Sequence, residues 1–100
     1  MDPLHRGIIE QYIDQLIEED SLKIDYEIFE GFKRNNLIDS TESAMFAQIF
    51  ARVFANFRLL NLDFSDVDKM PNEKDLVELN ELFLSRAFKI KSRIREICNL

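Results

Sequence analysis

Tryptophan is absent from this 100-residue chain, and several other residue types are nearly so, among them one Cys, one His, two Gly and two Pro. Each scarcity excludes a class of chemistry. A lone Cys98 permits neither an internal disulfide nor a zinc site built from several cysteines, and as the third residue from the end it reads as an inert packed or frayed thiol. His5, in the fraying first turn, has no visible partner for a catalytic triad or a metal cluster. Two glycines cannot build a phosphate-cradling loop. No apolar run approaches the roughly 20 residues that cross a bilayer, and Met1-Asp2-Pro3-Leu4-His5 shows no basic leader before an apolar stretch, so no signal peptide is expected. A non-catalytic protein follows, with no metal, no cofactor and no small-molecule substrate.

What is present is helical. Hydrophobic residues make up 46% of the chain and charged residues 32%, with nine Phe, the balance of a folded protein and not of a disordered tail. A chain this short buries about two-thirds of the surface it exposes when unfolded. We read residues 1–100 as one domain. The lone cysteine fits a reducing, intracellular setting, the cytoplasm of a prokaryote or the nucleus of a eukaryote.

Four helices are predicted, in an all-α bundle with a long C-terminal helix. Asp2 caps the first, with Pro3 at its first position; Ile9, Ile13, Leu16 and Ile17 share one face, and the helix should end near Asp20. Asp25 is the next candidate cap, ahead of a short helix with Ile28, Phe29 and Phe32 as its buried face and Asn35-Asn36 at its exit. Ser40 or Thr41 caps the third, and Ser40-Thr41-Glu42-Ser43 is close to a capping box. From Ala44 to Leu60 its polar residues are Gln48, Arg52, Asn56 and Arg58; the first three form one narrow stripe, and every other direction is apolar. Such a helix is buried or covered by a partner. Ala47, Ala51 and Ala55 would let a neighbouring helix approach closely. Residues 61–72 form the one long connection, where Leu62, Phe64, Val67 and Met70 suggest packing against the core. Asn72 then caps a helix with Glu73 and Asp75 in its first turn. Its seam of Leu76, Leu79, Phe83, Ala87, Ile90, Ile94 and Ile97 follows spacings of three and four.

The acidic clusters carry no clear chemistry. Asp63, Asp66 and Asp68 approximate a calcium loop but lack its glycine and closing glutamate, and Glu18-Glu19-Asp20 reads as solvated. Charge distribution says more. The net charge is −6, yet residues 1–50 hold eleven acids and four bases whereas residues 51–100 hold eight acids and nine bases. Arg86, Lys89, Lys91, Arg93 and Arg95 form a basic patch with no acid between 86 and 95. It can complement the helix dipole, contact phosphates or dock an acidic protein. A protein is favoured, because the acidic remainder would repel a polyanion.

The order of these features resembles the helical domain of GINS subunits, components of the replicative helicase assembly. The matching pieces are Leu22-Lys23-Ile24-Asp25 with Phe29 and Phe32, the helix around Phe50–Arg58, and Met70-Pro71-Asn72-Glu73-Lys74-Asp75-Leu76 leading to Phe83, Arg86 and Lys89-Ile90. The third helix departs from the family in ending Phe57-Arg58-Leu59-Leu60, and these 100 residues hold no counterpart of the family's small β-domain. The resemblance implies scaffolding in DNA replication, as one subunit of an oligomer held through helical domains. On that expectation Phe46, Phe50, Phe54, Phe57, Leu84 and Phe88 are divided between core and interface. The partners are protein subunits in a homo- or hetero-oligomer, with weak or indirect nucleic-acid contact and no membrane. The alternative is a small nucleic-acid-binding domain that uses the basic C-terminal helix.

Overall fold

The computed structural model describes residues 1–60 and 73–99, which form four helices and no strand. They are α1 (Pro3–Leu16), α2 (Glu19–Arg34), α3 (Thr41–Leu60) and α4 (Glu73–Cys98). The expected packing of Leu62, Phe64, Val67 and Met70, the Asp63–Asp68 cluster and the Asn72 cap lie outside the described residues.

Helix α1 starts as its sequence dictates. Asp2 accepts a hydrogen bond from the Leu4 amide at 2.7 Å, and Pro3 gives up no needed donor in the first turn. It stops at Leu16, four residues before the expected end near Asp20. Electrostatics accounts for the difference. Glu18, Glu19 and Asp20 at the C-terminus of α1 would oppose the helix dipole, whereas Glu19 and Asp20 in the first turn of α2 complement it. The turn also places Leu16, Ile17 and Leu22 in the core.

Asp25 is therefore no cap but a buried residue inside α2. The earlier start resets the buried face of α2, which centres on Leu22 and Asp25. Ile28 and Phe32, expected inside, are exposed, and Phe29 is half-buried with its ring edge-on to Phe32. The exit falls where expected. Asn36 takes φ 60°, Leu37 N–H donates to the Phe32 carbonyl and Asn36 N–H to that of Lys33, a closure that favours asparagine among non-glycine residues.

Helix α3 opens at Ser40, whose Oγ accepts from the Ser43 amide at 3.1 Å. Thr41 Oγ donates to Glu30 at 2.8 Å and ties this end to α2. The row Met45, Ile49, Val53 and Phe57, one helical turn apart, is fully buried. It packs with Ile9 and Ile13 of α1 and with Leu79, Phe83, Ile90 and Ile94 of α4 in one core. Burying side chains of this kind contributes about 1.5–3 kcal/mol each.

One expectation for α3 is corrected. Ala47, Ala51 and Ala55 face outward, with no close approach by another described helix. The polar stripe of Gln48, Arg52 and Asn56 is half-buried, and Arg52 pairs with Asp25 of α2 on that side.

Helix α4 runs for 26 residues, about 39 Å at 1.5 Å per residue. Its seam is as read: Leu79, Phe83, Ile90, Ile94 and Ile97 are buried, and Leu76 and Ala87 are half-buried beside them.

Candidate protein-binding face

Phe83 is the pivot of the contact between α3 and α4. The rings of Phe46 and Phe50 meet it edge-on, with centroids 5.4 and 4.9 Å away, and Phe50 stacks on Phe54 at 6.4 Å. Edge-on aromatic pairs of this geometry contribute beyond their buried area. Phe46, Phe50 and Phe54 remain half-buried, so each ring has one side on the core and one toward solvent. The six residues expected to divide between core and interface thus fall into three groups. Phe57 is completely enclosed and belongs to the core. Phe46, Phe50 and Phe54 form a rim. Leu84 and Phe88 stand in solvent at 62% and 83% exposure.

Helical geometry explains the last two. Phe83, Ile90 and Ile94 point to the core, and Leu84 and Phe88 lie roughly 100–140° round the helix from them. Val77, also exposed, lies on the same side. Lys91 continues this line and borders a shallow recess with Phe46, Ile94, Glu42 and Ser43.

The opposite flank of α4 is polar and occupied. Arg86 pairs with Glu10 at 3.4 Å and with Asp14 at 3.9 Å, and Lys89 pairs with Asp14 at 3.4 Å. Arg93 pairs with Glu96 and donates through Nε to the Ile17 carbonyl at 3.3 Å. Arg95 lies instead on the side of Leu84 and Phe88, 3.8 Å from Glu42. Four of the five basic-patch residues are therefore brought together with acids of their own chain, Glu10 and Asp14 on α1, Glu42 on α3 and Glu96 on α4. The charge asymmetry between the two halves becomes complementarity within the fold. Lys91 alone of the five has no ion-pair partner among the described residues.

No set of three or more His, Cys, Asp or Glu side chains among the described residues is placed to hold a metal. Cys98 is half-buried, with Sγ 3.9 Å from Met45 Sδ, and burial raises its thiol pKa above the ordinary value. Among the described residues no helix is long and apolar enough to cross a membrane.

Two features escaped the reading of the sequence. Asp25 lies three residues after Leu22 and four before Phe29, so helical phase alone puts it on an apolar face, and the one arginine within the third helix's narrow polar stripe was its available partner. Ile24, Ile28 and Phe32, four residues apart, form a second exposed apolar row on α2. Its signal was hidden by the misplaced start of that helix.

The fold and this face define a class: an all-α helical bundle with an uncovered apolar flank. No family model, no curated protein and no solved structure matches the chain.

Proposed function

We propose that this protein is a non-catalytic helical assembly module that joins another protein chain through the outer flank of α3 and α4. The observation that carries this reading is the exposure of Leu84 and Phe88, adjacent turns of the helix whose Phe83 meets the half-open rings of Phe46 and Phe50. An aromatic ring left 83% in water contributes almost nothing to folding of the isolated chain. Large apolar side chains clustered on one surface are characteristic of protein interfaces, where aromatics supply much of the binding energy. The resemblance to GINS helical domains supports the same reading and gives it a specific form, a subunit of a replication assembly in an intracellular setting.

Nucleic-acid binding draws less support. Four of the five cations that would contact phosphates already have carboxylate partners, and any polyanion must displace Glu10, Asp14, Glu42 and Glu96.

The test is position-specific photocrosslinking in the producing cell. A benzophenone side chain is placed at Phe88 and, as a control, at the exposed Gln11 of α1. A protein adduct of defined mass from position 88, several-fold above the control, is expected. Equal yields from the two positions would overturn the proposal.

A further inference from the structure

We infer that the chain covering this face is a second copy of the same protein, with the two α4 helices antiparallel across a two-fold axis at the level of Arg86. The inference rests on the assembly reading above and names its occupant.

The exposed line of α4 reads Val77, Glu81, Leu84, Phe88, Lys91 and Arg95, all solvent-exposed. Its spacings are four, three, four, three and four residues, a sequence that is the same in both directions. Antiparallel helices related by a two-fold axis at position 86 bring together residues whose numbers are equidistant from 86. Leu84 then meets Phe88 of the other copy, Glu81 meets Lys91, and Val77 meets Arg95. The contact is apolar at its centre and charge-complementary on both sides, with each pair occurring twice. Isologous interfaces require this self-complementarity. The stem of Arg95 can lie over Val77 while its guanidinium stays in water. The parallel alternative sets Glu81 against Glu81 and Lys91 against Lys91, repulsive on both sides.

Two further observations favour this occupant. Neither Glu81 nor Lys91 has an ion-pair partner among the described residues, and both side chains are exposed. The positions also fit helical geometry: Glu81 and Lys91 lie about 15 Å apart along the axis, bracketing the apolar pair, and two helices packed 8–10 Å apart bring such flanking groups within reach of each other. With only two large apolar side chains from each copy fully in water before pairing, the dimer should dissociate on dilution.

Analytical ultracentrifugation of the full chain from low to several hundred micromolar tests this, with circular dichroism to verify helicity of every variant. The expected result is a reversible approach to twice the mass of one chain. Leu84→Glu should leave the protein monomeric throughout. Glu81→Lys or Lys91→Glu alone should each weaken dimerisation about tenfold or more. Mixing those two single variants, one equivalent each, should restore association as a mixed dimer, because every flanking pair becomes attractive again. A chain that stays monomeric at all concentrations overturns the inference, as does a dimer insensitive to Leu84→Glu or a mixture that fails to recover. If the chain is monomeric yet position 88 crosslinks to a protein of different mass, self-pairing fails and the assembly reading stands. If position 88 also crosslinks to nothing, both fail.

Discussion

Asp25 of α2 and Arg52 of α3 face each other across the helix contact, with Nη2 3.1 Å from Oδ1 and Nη1 3.4 Å from Oδ2. The carboxylate is 2% exposed and the guanidinium about one-third. The two nitrogens match the two oxygens, a planar pairing that lysine could not reproduce. Its value is conditional: removing both charges costs little, whereas removing only the arginine leaves a buried carboxylate unpaired. Arg52→Met is expected to destabilise the fold by about 3 kcal/mol. The double variant Asp25→Leu, Arg52→Met should recover most of that loss. Urea titrations of the three proteins measure both effects, and additive losses would show that the pair is not coupled.

Phe57 and Phe88 belong to the same residue type and opposite environments. Phe57→Ala opens a cavity beneath α3 and is expected to cost about 3–5 kcal/mol. Phe88→Ala should change stability by no more than about 0.5 kcal/mol when measured below the concentration range of association. Denaturant midpoints at low protein concentration give the comparison. Equal losses at the two positions would place Phe88 in the core.

The α1 acids Glu10 and Asp14 hold two cations of α4, Arg86 and Lys89, in check. The protein should therefore bind duplex DNA weakly, and Glu10→Gln with Asp14→Asn should release Arg86 and Lys89 to bind phosphate. Fluorescence titrations across a salt series are expected to show tighter binding, with a salt slope steeper by about one or two phosphate contacts. Tight, steeply salt-dependent binding by the unaltered chain would favour the nucleic-acid reading instead.

Cys98 supplies a pH-dependent check on burial. Desolvation is the largest influence on its thiol, followed by the charges of Glu42 and Glu30, and all three raise its pKa. The protonated form is favoured in the fold, and the thiolate is the reactive species. Alkylation by iodoacetamide should be slower than for a free thiol at pH 8, with its rise displaced to higher pH. Unfolding in urea should abolish the difference. A native rate equal to that of the unfolded chain would put Cys98 in open water.

Much of this architecture was legible residue by residue. Asp2-Pro3, Ser40 and Asn35-Asn36 mark helix ends through local hydrogen bonding and backbone geometry, which act within a few residues and survive without tertiary context. The seam from Leu79 to Ile97 follows from period alone, because a helix that presents apolar groups every three or four residues has one face to bury. The candidate face was partly legible: Leu84 and Phe88 lie off that seam by arithmetic. The boundary between α1 and α2 was not. Asp20 and Asp25 are both plausible terminus residues, and the choice depends on which arrangement lets three acids meet a favourable dipole while Asp25 finds Arg52, 27 residues away.

By itself the sequence determined that the chain is helical, roughly where three of its helices begin or end, and that it has more large apolar side chains than polar stripes to separate them. Those properties are set by neighbours three or four positions apart. Tertiary packing decided which of those side chains stay outside. Phe57 and Phe88 are indistinguishable as residues, but α3 turns one into the core while α4, anchored by Phe83 on one side and by Arg86 with Glu10 on the other, holds its remaining flank in water. Burial is a property of how helices are rotated against one another, and contacts between distant parts of the chain fix that rotation.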